Sequence, residues 1–381
     1  MALQSGATQD VGRTGIVPLI TTHGITVMDR RTFIQSLSCL GATAALPAFA
    51  YDRKVRQLAL LDDEIWVPGS APRIGVIAVG GAGGKILSDL YGKLPYLSRS
   101  IAIDINRDDL LGTTTDRKIL IGGSTNRPRD ASTARLLATA ARAEIADAVS
   151  SLDIAFVVSG MSGIAGTAIS PIVAALLKER QTITIAAAFT PVNSEGHRRH
   201  QIAMDGIVAL GGIANTTFHI SNDVLCWQPC QRDLPMGSSP ATTTFERLYR
   251  GITAPIASPD YLVGFNTGTL RECMSNEGAA AIGYGSASGR NAGEAATRKA
   301  IYHPLLGEDQ LSSASSVWVL IEGVPELLRT RQFVEISSLI REFVGTSTAV
   351  ADPVYICGAI RNKTMQDDFR VTILASGIPS G

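Results

Sequence analysis

The sequence predicts an α/β fold: a parallel sheet with helices on both faces, followed by a smaller α+β domain. Three observations predict it. Short β-branched runs alternate with stretches of helical spacing from Arg73 to Ile220, the pattern of strands buried on both faces. Two of those runs end in small-residue turns that open into helices, at Gly80–Gly84 and at Ser159–Pro171. After about Asn222 the connections lengthen, and strands and helices no longer alternate strictly.

The elements follow in order. Arg73–Val79 reads as a buried parallel strand, Gly80-Gly81-Ala82-Gly83-Gly84 as a turn, and Lys85–Leu94 as a helix. Ser100–Ile105 and Lys118–Ile121 read as short strands, and the alanine-rich Ala131–Val149 as a helix. Asp153–Val158 is the next strand, then Thr182–Phe189, a helix over Gly196–Leu210, and a strand over Thr216–Ile220. Pro229, Pro235, Gly237 and Pro240 make an irregular segment. Helical spacing is expected at Thr243–Thr253, Leu270–Gly283, Asn291–Ile301 and Arg331–Val344. Val317–Ile321, Val354–Ile360 and Phe369–Leu374 read as strands.

Composition sets the bounds. The chain has 381 residues, 45% hydrophobic and 18% charged, enough for two domains with real cores. Lys+Arg and Asp+Glu both number 34, so no net charge draws the chain to nucleic acid or an acidic membrane. Nothing reads as a transmembrane segment. Five cysteines are present. Cys226 and Cys230 have the spacing for a small disulfide in an oxidising compartment. Zinc is not expected, because no second cysteine pair or histidine cluster has ligand spacing. His197 and His200 read as helix-surface residues among Arg198 and Arg199.

The first fifty residues read as a leader. Met28-Asp29-Arg30-Arg31-Thr32-Phe33-Ile34 pairs two arginines ahead of a mildly apolar stretch, Ser36–Leu46, and then Ala48-Phe49-Ala50. This resembles a twin-arginine export signal with an Ala-x-Ala cleavage site. Residues 1–27 show no structural pattern, so Met28 is the expected start. Cys39 would leave with the signal. The signal implies a periplasmic or exported protein; unused, it implies a cytoplasmic one.

Both small-residue turns have the form of a phosphate cradle. Small residues let backbone N–H groups approach an anion, and a helix N-terminus adds favourable partial charge. Two such turns on separate parallel strands point into one crevice at the strand C-termini. A P-loop is excluded, since Gly-x-x-x-x-Gly-Lys-Ser/Thr is absent, and the Rossmann fingerprint is poor.

At this point the chain resembles the tubulin/FtsZ family, the bacterial FtsZ branch above all, from about Arg73 to Ile378. The anchors come in order: Ile77–Gly84, Ala102-Ile103-Asp104 with Leu110, and Ser159–Pro171, which is similar to the signature loop. Pro191–Arg199, Ser221-Asn222-Asp223, Met274–Gly278, Gly285–Gly289, Ala295–Leu306, Gly358-Ala359-Ile360 and Arg370–Gly377 follow. The resemblance implies a Rossmann-like GTP-binding domain over 73–240, a core helix over 241–262, and a smaller domain over 263–381. Residues 1–50 and 51–72 would be leader and linker. It implies GTP or GDP, with Mg²⁺, held by Gly80, Gly81, Ala82, Gly83, Gly84 and Lys85 in the first loop. The signature loop would contribute Gly160, Gly163, Gly166, Thr167 and Ala168, and the ribose and base side Glu195, Arg199 and Asn222. It also implies head-to-tail self-association, in which the next subunit supplies carboxylates that polarise the attacking water.

Several positions depart from that pattern. In the loop Val263–Leu270, the two acidic positions fall on Asn266 and Thr269. A shifted loop borrowing Asp260 or Glu272 is the alternative. The signature loop carries Ile164 and Ala165 where the family has small or hydroxyl residues, and Lys85 stands where it has Asn. Lys85 reads equally as a new phosphate contact or as a solvated charge. The loop after Gly122, Ser124–Asp130, is short and glycine-poor, and the core helix is expected to be abbreviated near Phe245. The chain ends just past its last strand, which speaks against an ordinary division-ring role. These departures predict a GTP-binding, self-associating protein with weak or lost GTPase. The alternative is an exported interaction protein that keeps the fold, binds no nucleotide and acts through an unknown protein partner.

Overall fold

The structure, a computed structural model, describes residues 16–21, 24–29, 71–123, 128–226, 239–275, 279–345 and 352–379. The chain divides into two units, residues 1–64 and 65–381. In the first, β1 (Ile16–Thr21) and β2 (Gly24–Asp29) pair antiparallel, Ile16 opposite Asp29. This corrects the expectation that residues 1–27 carry no pattern; Ile16, Val17, Ile25, Thr26 and Val27 are β-branched and suit a strand. Arg30–Ala50, the rest of the export signal, lies outside the described residues, and so does Cys230, which leaves the disulfide undescribed.

The second unit is one eleven-stranded sheet with helices on its faces. Its first half alternates strand and helix: β3 (Ile74–Val79), α1 (Gly80–Leu90), β4 (Leu97–Asp104), α2 (Arg107–Gly112) and β5 (Arg117–Leu120). Then come α3 (Ala131–Ala140), α4 (Arg142–Ala148), β6 (Ile154–Gly160), α5 (Ile164–Glu179), β7 (Ile183–Thr190), α6 (His197–Gly211), β8 (Thr216–Ser221) and α7 (Asn222–Leu225). The second half runs α8 (Pro240–Ala257), β9 (Tyr261–Val263), α9 (Thr267–Cys273), β10 (Ala279–Ala287), α10 (Ala292–Ile301) and α11 (Glu308–Ser313). It closes with β11 (Ser316–Gly323), α12 (Thr330–Arg341), β12 (Val354–Arg361) and β13 (Phe369–Ile378). The strand order is β5-β4-β3-β6-β7-β8-β10-β13-β11-β12-β9. From β5 to β8 every pair is parallel, and β10 joins β8 through a single register pair, Ala280 opposite Phe218.

The helix α8 lies between the two halves because its buried residues face both. Phe245 and Tyr249 pack on Phe156 of β6, at ring-centroid distances of 6.3 and 5.0 Å. Tyr249 Oη donates to Pro95 O at 2.7 Å, and Trp318 Nε1 of β11 donates to Gly251 O at 2.9 Å. Each buried aromatic of this kind contributes about 1.5–3 kcal/mol through the apolar area it removes from water. At 18 residues the helix is longer than Thr243–Thr253, and the abbreviation expected near Phe245 is not found. Ser239 caps it, Pro240 sits at its first turn where no N–H is needed, and Phe245 anchors it in the core.

Other corrections are local. Gly80–Gly84 is the opening of α1, not a turn ahead of it. Ala131–Val149 breaks into two helices at Ala141. The helix expected over Leu270–Gly283 ends at Cys273, and Ala279–Ala287 is a strand. Alanine content favoured helix there, but pairing with β13 overrides it. The two glycines of that strand let α10 cross it: a Cβ on Gly283 would lie 2.1 Å from Ala300 O, and one on Gly285 would lie 2.4 Å from Ala296 O. Among the described residues no helix is long and apolar enough to cross a membrane.

Candidate functional site

The parallel strands β3, β4, β6, β7 and β8 all end at the same edge of the sheet, which is where a ligand crevice forms in an open α/β sheet. The helices at this edge begin in two ways. The first N–H groups of any helix lack an intrahelical partner. In α2, α3 and α7 a side chain supplies one: Asn106 accepts from Asp108 N, Asp130 from Thr133 N, and Ser221 from Val224 N. In α1, α5 and α6 the N-cap residues are Val79, Gly163 and Gly196, and none makes a side-chain cap. These three helices follow β3, β6 and β7, which are neighbours in the sheet. Three sets of backbone donors, with three positive dipole ends, therefore share one edge.

The two small-residue segments meet there. Gly80 has φ +77°, a conformation that side chains disfavour, and a Cβ on it would lie 3.3 Å from Ala165 Cβ and 3.5 Å from Gly166 N. A Cβ on Gly160 would come within 2.7 Å of Ala82 Cβ. Behind them, Gly83 sits on Val158 O and Gly166 on Gly160 O, at 2.4 and 2.1 Å from the Cβ each lacks. Gly81 and Ala82 are exposed at the crevice, whereas Gly84 is buried. Lys85 is exposed one turn into α1, away from the helix's first N–H groups. Gly163 is exposed and open on its Cβ side. Ile164 is half-buried, and Thr167 and Ala168 are buried inside α5. Thr167 Oγ1 donates to Gly163 O at 3.0 Å, so its hydroxyl is engaged with its own helix.

On the far side of the crevice a second group assembles. Glu195 Oε2 pairs with Arg199 Nη1 at 2.7 Å, and Glu195 Oε1 accepts from Val192 N at 3.2 Å. Asn193 N donates to both oxygens of Asp223 at 3.0 Å. That bond ties the 193–195 turn to α7, whose first residue is Asn222. Glu195, Arg199 and Asn222 are thus brought together across the ends of β7 and β8. His200 corrects the surface reading: it is half-buried, and its Nδ1 is enclosed without a hydrogen-bond partner among the described residues.

Asn106 and Asp109, two residues at this edge, were missed from sequence. Buried Asp104, at the end of β4, accepts from Ile105 N at 2.7 Å and Asn106 N at 3.0 Å. Asn106 Nδ2 donates to Asp109 Oδ2 at 2.6 Å, and a Cβ on Gly81 would lie 3.3 Å from that same oxygen. Asn106 and Asp109 therefore line the approach to α1. The signal was the run Asp104–Asp109, acidic and capping residues at the end of a strand. Among the described residues no group of three or more His, Cys, Asp or Glu is placed to hold a metal ion.

The loop expected to carry catalytic carboxylates is built differently. Asn266 is the N-cap of α9; its Oδ1 accepts from Thr269 N at 2.8 Å and from Thr269 Oγ1 at 3.0 Å. The two positions close on each other as a cap. Asp260 stands before that loop with its backbone in the sheet edge, where its carbonyl accepts from Arg361 N at 3.1 Å.

Comparison with known proteins agrees with this layout. Residues 73–227 match the Tubulin/FtsZ family, GTPase domain, and residues 278–379 match the FtsZ family, C-terminal domain. The chain is 30% identical over 311 residues to cell division protein FtsZ 1 of Archaeoglobus fulgidus, covering 81% of this chain and 82% of that protein. An FtsZ dimer, empty, from M. jannaschii superposes with a TM-score of 0.70 at 22% identity, covering 86% of this chain and 92% of that one. CetZ2 from Haloferax volcanii, a GTPγS-bound protofilament, superposes at 0.66 with 19% identity, covering 81% and 94%.

Proposed function

The chain belongs to the tubulin/FtsZ family, and from that premise we propose that it binds GTP or GDP in the crevice, associates head to tail with its own copies, and hydrolyses GTP weakly or not at all. The observation that carries the binding is the set of three uncapped helix N-termini at one edge. Backbone donors left open at α1, α5 and α6 fit a phosphate chain, and the Glu195–Arg199–Asn222 group fits a ribose and base. Gly80, Gly81 and Ala82 would meet the phosphates from one side and Gly163 from the other, with Gly83 and Gly166 packed behind them. Among the described residues no group of three or more His, Cys, Asp or Glu is placed for Mg²⁺, so the ion would be held mainly by phosphate oxygens and water. The archaeal relative is named a cell division protein, and relatives of this fold are described as a dimer and as a protofilament, which supports self-association here.

The weak hydrolysis rests on α9. Neither Asn266 nor Thr269 carries a charge that can accept a proton from water, and both are spent on the cap. Loss of a general base costs roughly 10²–10⁴ in rate. The test is the nucleotide content of the purified protein, read by chromatography after denaturation, with phosphate release followed against protein concentration. Bound guanine nucleotide with near-zero release is expected. Protein that arrives empty and shows no thermal shift with GDP overturns the binding.

The second reading, an exported interaction protein that takes no nucleotide, is favoured by one feature. The first turn of α5 is filled by Ile164 and Ala165, and its hydroxyl, on Thr167, is turned inward. A periplasmic location belongs to the same reading. Cell fractionation with an epitope tag decides it: protein found only in the cytoplasm, loaded with nucleotide, removes it.

A further inference from the structure

Away from the crevice, three arginines crowd one carboxylate. Arg247 and Arg250 on α8 and Arg370 on β13 converge on Glu322 of β11, a residue only 2% exposed. Glu322 Oε1 accepts from Asn362 Nδ2 at 3.0 Å and from Arg250 Nη2 at 3.3 Å. Its Oε2 stands 3.6 Å from Arg370 Nη1. These are loose pairings. Three guanidiniums present roughly fifteen N–H donors. The Nε atoms of Arg247, Arg250 and Arg370 are all buried and lack a hydrogen-bond partner among the described residues.

The carboxylates that face the arginines differ in depth. Three cations face one buried anion. Asp367 lies 3.6 Å from Arg370 Nη2, but its side chain is 34% exposed and water screens it. Glu246, next to Arg247 on α8, is half-buried like Arg247 itself and favours the arginine's charged form. Burial, and then Arg370, draw the Arg247 pKa down to about 10, the response of a cation short of counter-charge. Burial alone pushes the Glu322 carboxyl up, yet Arg370, Arg250 and Arg247 hold it below the ordinary range. Glu246, Asp367 and the three arginines are all half-buried, so Glu322 is the fully buried charge of the cluster, and the planar guanidinium forks around it suit the oxygens of a phosphate group.

We propose that Arg247, Arg250 and Arg370 form an anion site for a phosphate group, either the free ion or the end of a small phosphoester, on elements that do not frame the crevice. Glu322 holds the three guanidiniums in place and sets the charge of the site.

The test uses the full chain. Inorganic phosphate and glycerol phosphate are titrated by calorimetry at fixed ionic strength, with chloride as control and GDP in excess. Binding that survives GDP, falls at least tenfold in Arg247→Gln and tightens severalfold in Glu322→Gln is expected. Heat from glycerol phosphate assigns a phosphoester; heat from inorganic phosphate alone assigns the free ion. The opposite signs of the two variants separate a ligand site from a structural cluster, for which both would lower stability and neither would change binding. If Arg247→Gln does not fold, Arg247→Lys keeps the charge, loses the fork and weakens binding. No heat beyond the chloride control, displacement by GDP, or equal affinity in all variants overturns the proposal.

Discussion

The start of α5 and the start of α9 solve the same problem in opposite ways. Both follow an extended segment, and both leave backbone N–H groups without intrahelical partners. At α5 the N-cap is Gly163, which offers no side chain, and the donors stay open at the sheet edge. At α9 the N-cap is Asn266, and Thr269 closes the ring behind it. One end is kept available at a cost in helix stability. The other is stabilised, and the charges expected there are gone. On the proposed reading, binding and hydrolysis part company without a change of fold.

The strongest way to break that contrast is to restore the acids. The double change Asn266→Asp, Thr269→Asp keeps a capping carboxylate at 266. On the proposed head-to-tail assembly, where the site would form between two copies, we expect phosphate release to rise by about 10²-fold or more and steeply with protein concentration. A rate that stays flat shows that the uncharged loop is not what limits hydrolysis. The next test moves the other way. Gly163→Asp adds a cap where nothing lies within 4 Å of the new Cβ. It should strengthen α5 by about 1 kcal/mol and weaken GDP binding by about tenfold, since a carboxylate then occupies the anion's place. Equal GDP affinity, read by calorimetry, would move the phosphates away from α5. A smaller effect follows from Asn266→Ala, which should cost about 1 kcal/mol in urea unfolding and leave nucleotide affinity unchanged.

The smallest effect is read on a capped helix beside the crevice. Ser132 and Thr133 hold the Asp130 carboxyl down to about 2, because they bond its ionised form. A depressed carboxyl contributes stability above its unfolded pKa and loses it as pH falls through the folded value. The contribution should thus be complete above about pH 4 and fade towards pH 2. A carbon-detected NMR titration of Asp130 with a midpoint at the ordinary aspartate value would show that this cap is not formed.

Much of this was legible in sequence. The strands β3 and β6 announce themselves because they are buried on both faces and read as near-continuous apolar runs rich in Val and Ile. The small residues at Gly80–Gly84 and Ser159–Pro171 mark where two segments must touch. The strand at Ala279–Ala287 was missed because its glycines answer to a helix that crosses it, a neighbour invisible along the chain. The closed cap between Asn266 and Thr269 was hidden for another reason: composition shows that two acids are missing but not what the replacements bond. The arginine cluster was beyond reach, since Glu322 and Arg370 come together only through the pairing of β11 with β13, and Arg247 and Arg250 reach them only through α8.

The seam at Phe218 and Ala280 joins the two halves of the sheet by a single register pair, yet they do not behave as separate bodies. Ile74, Phe156 and Ile185 of one half share a hydrophobic cluster with Trp318, Ile356 and Leu374 of the other, and α8 runs through its middle. Neither half can keep its interior dry once that helix leaves. Heat should therefore undo both in one cooperative step, with calorimetric and van't Hoff enthalpies in agreement. A chain whose sheet is nearly cut in two would melt as a single unit.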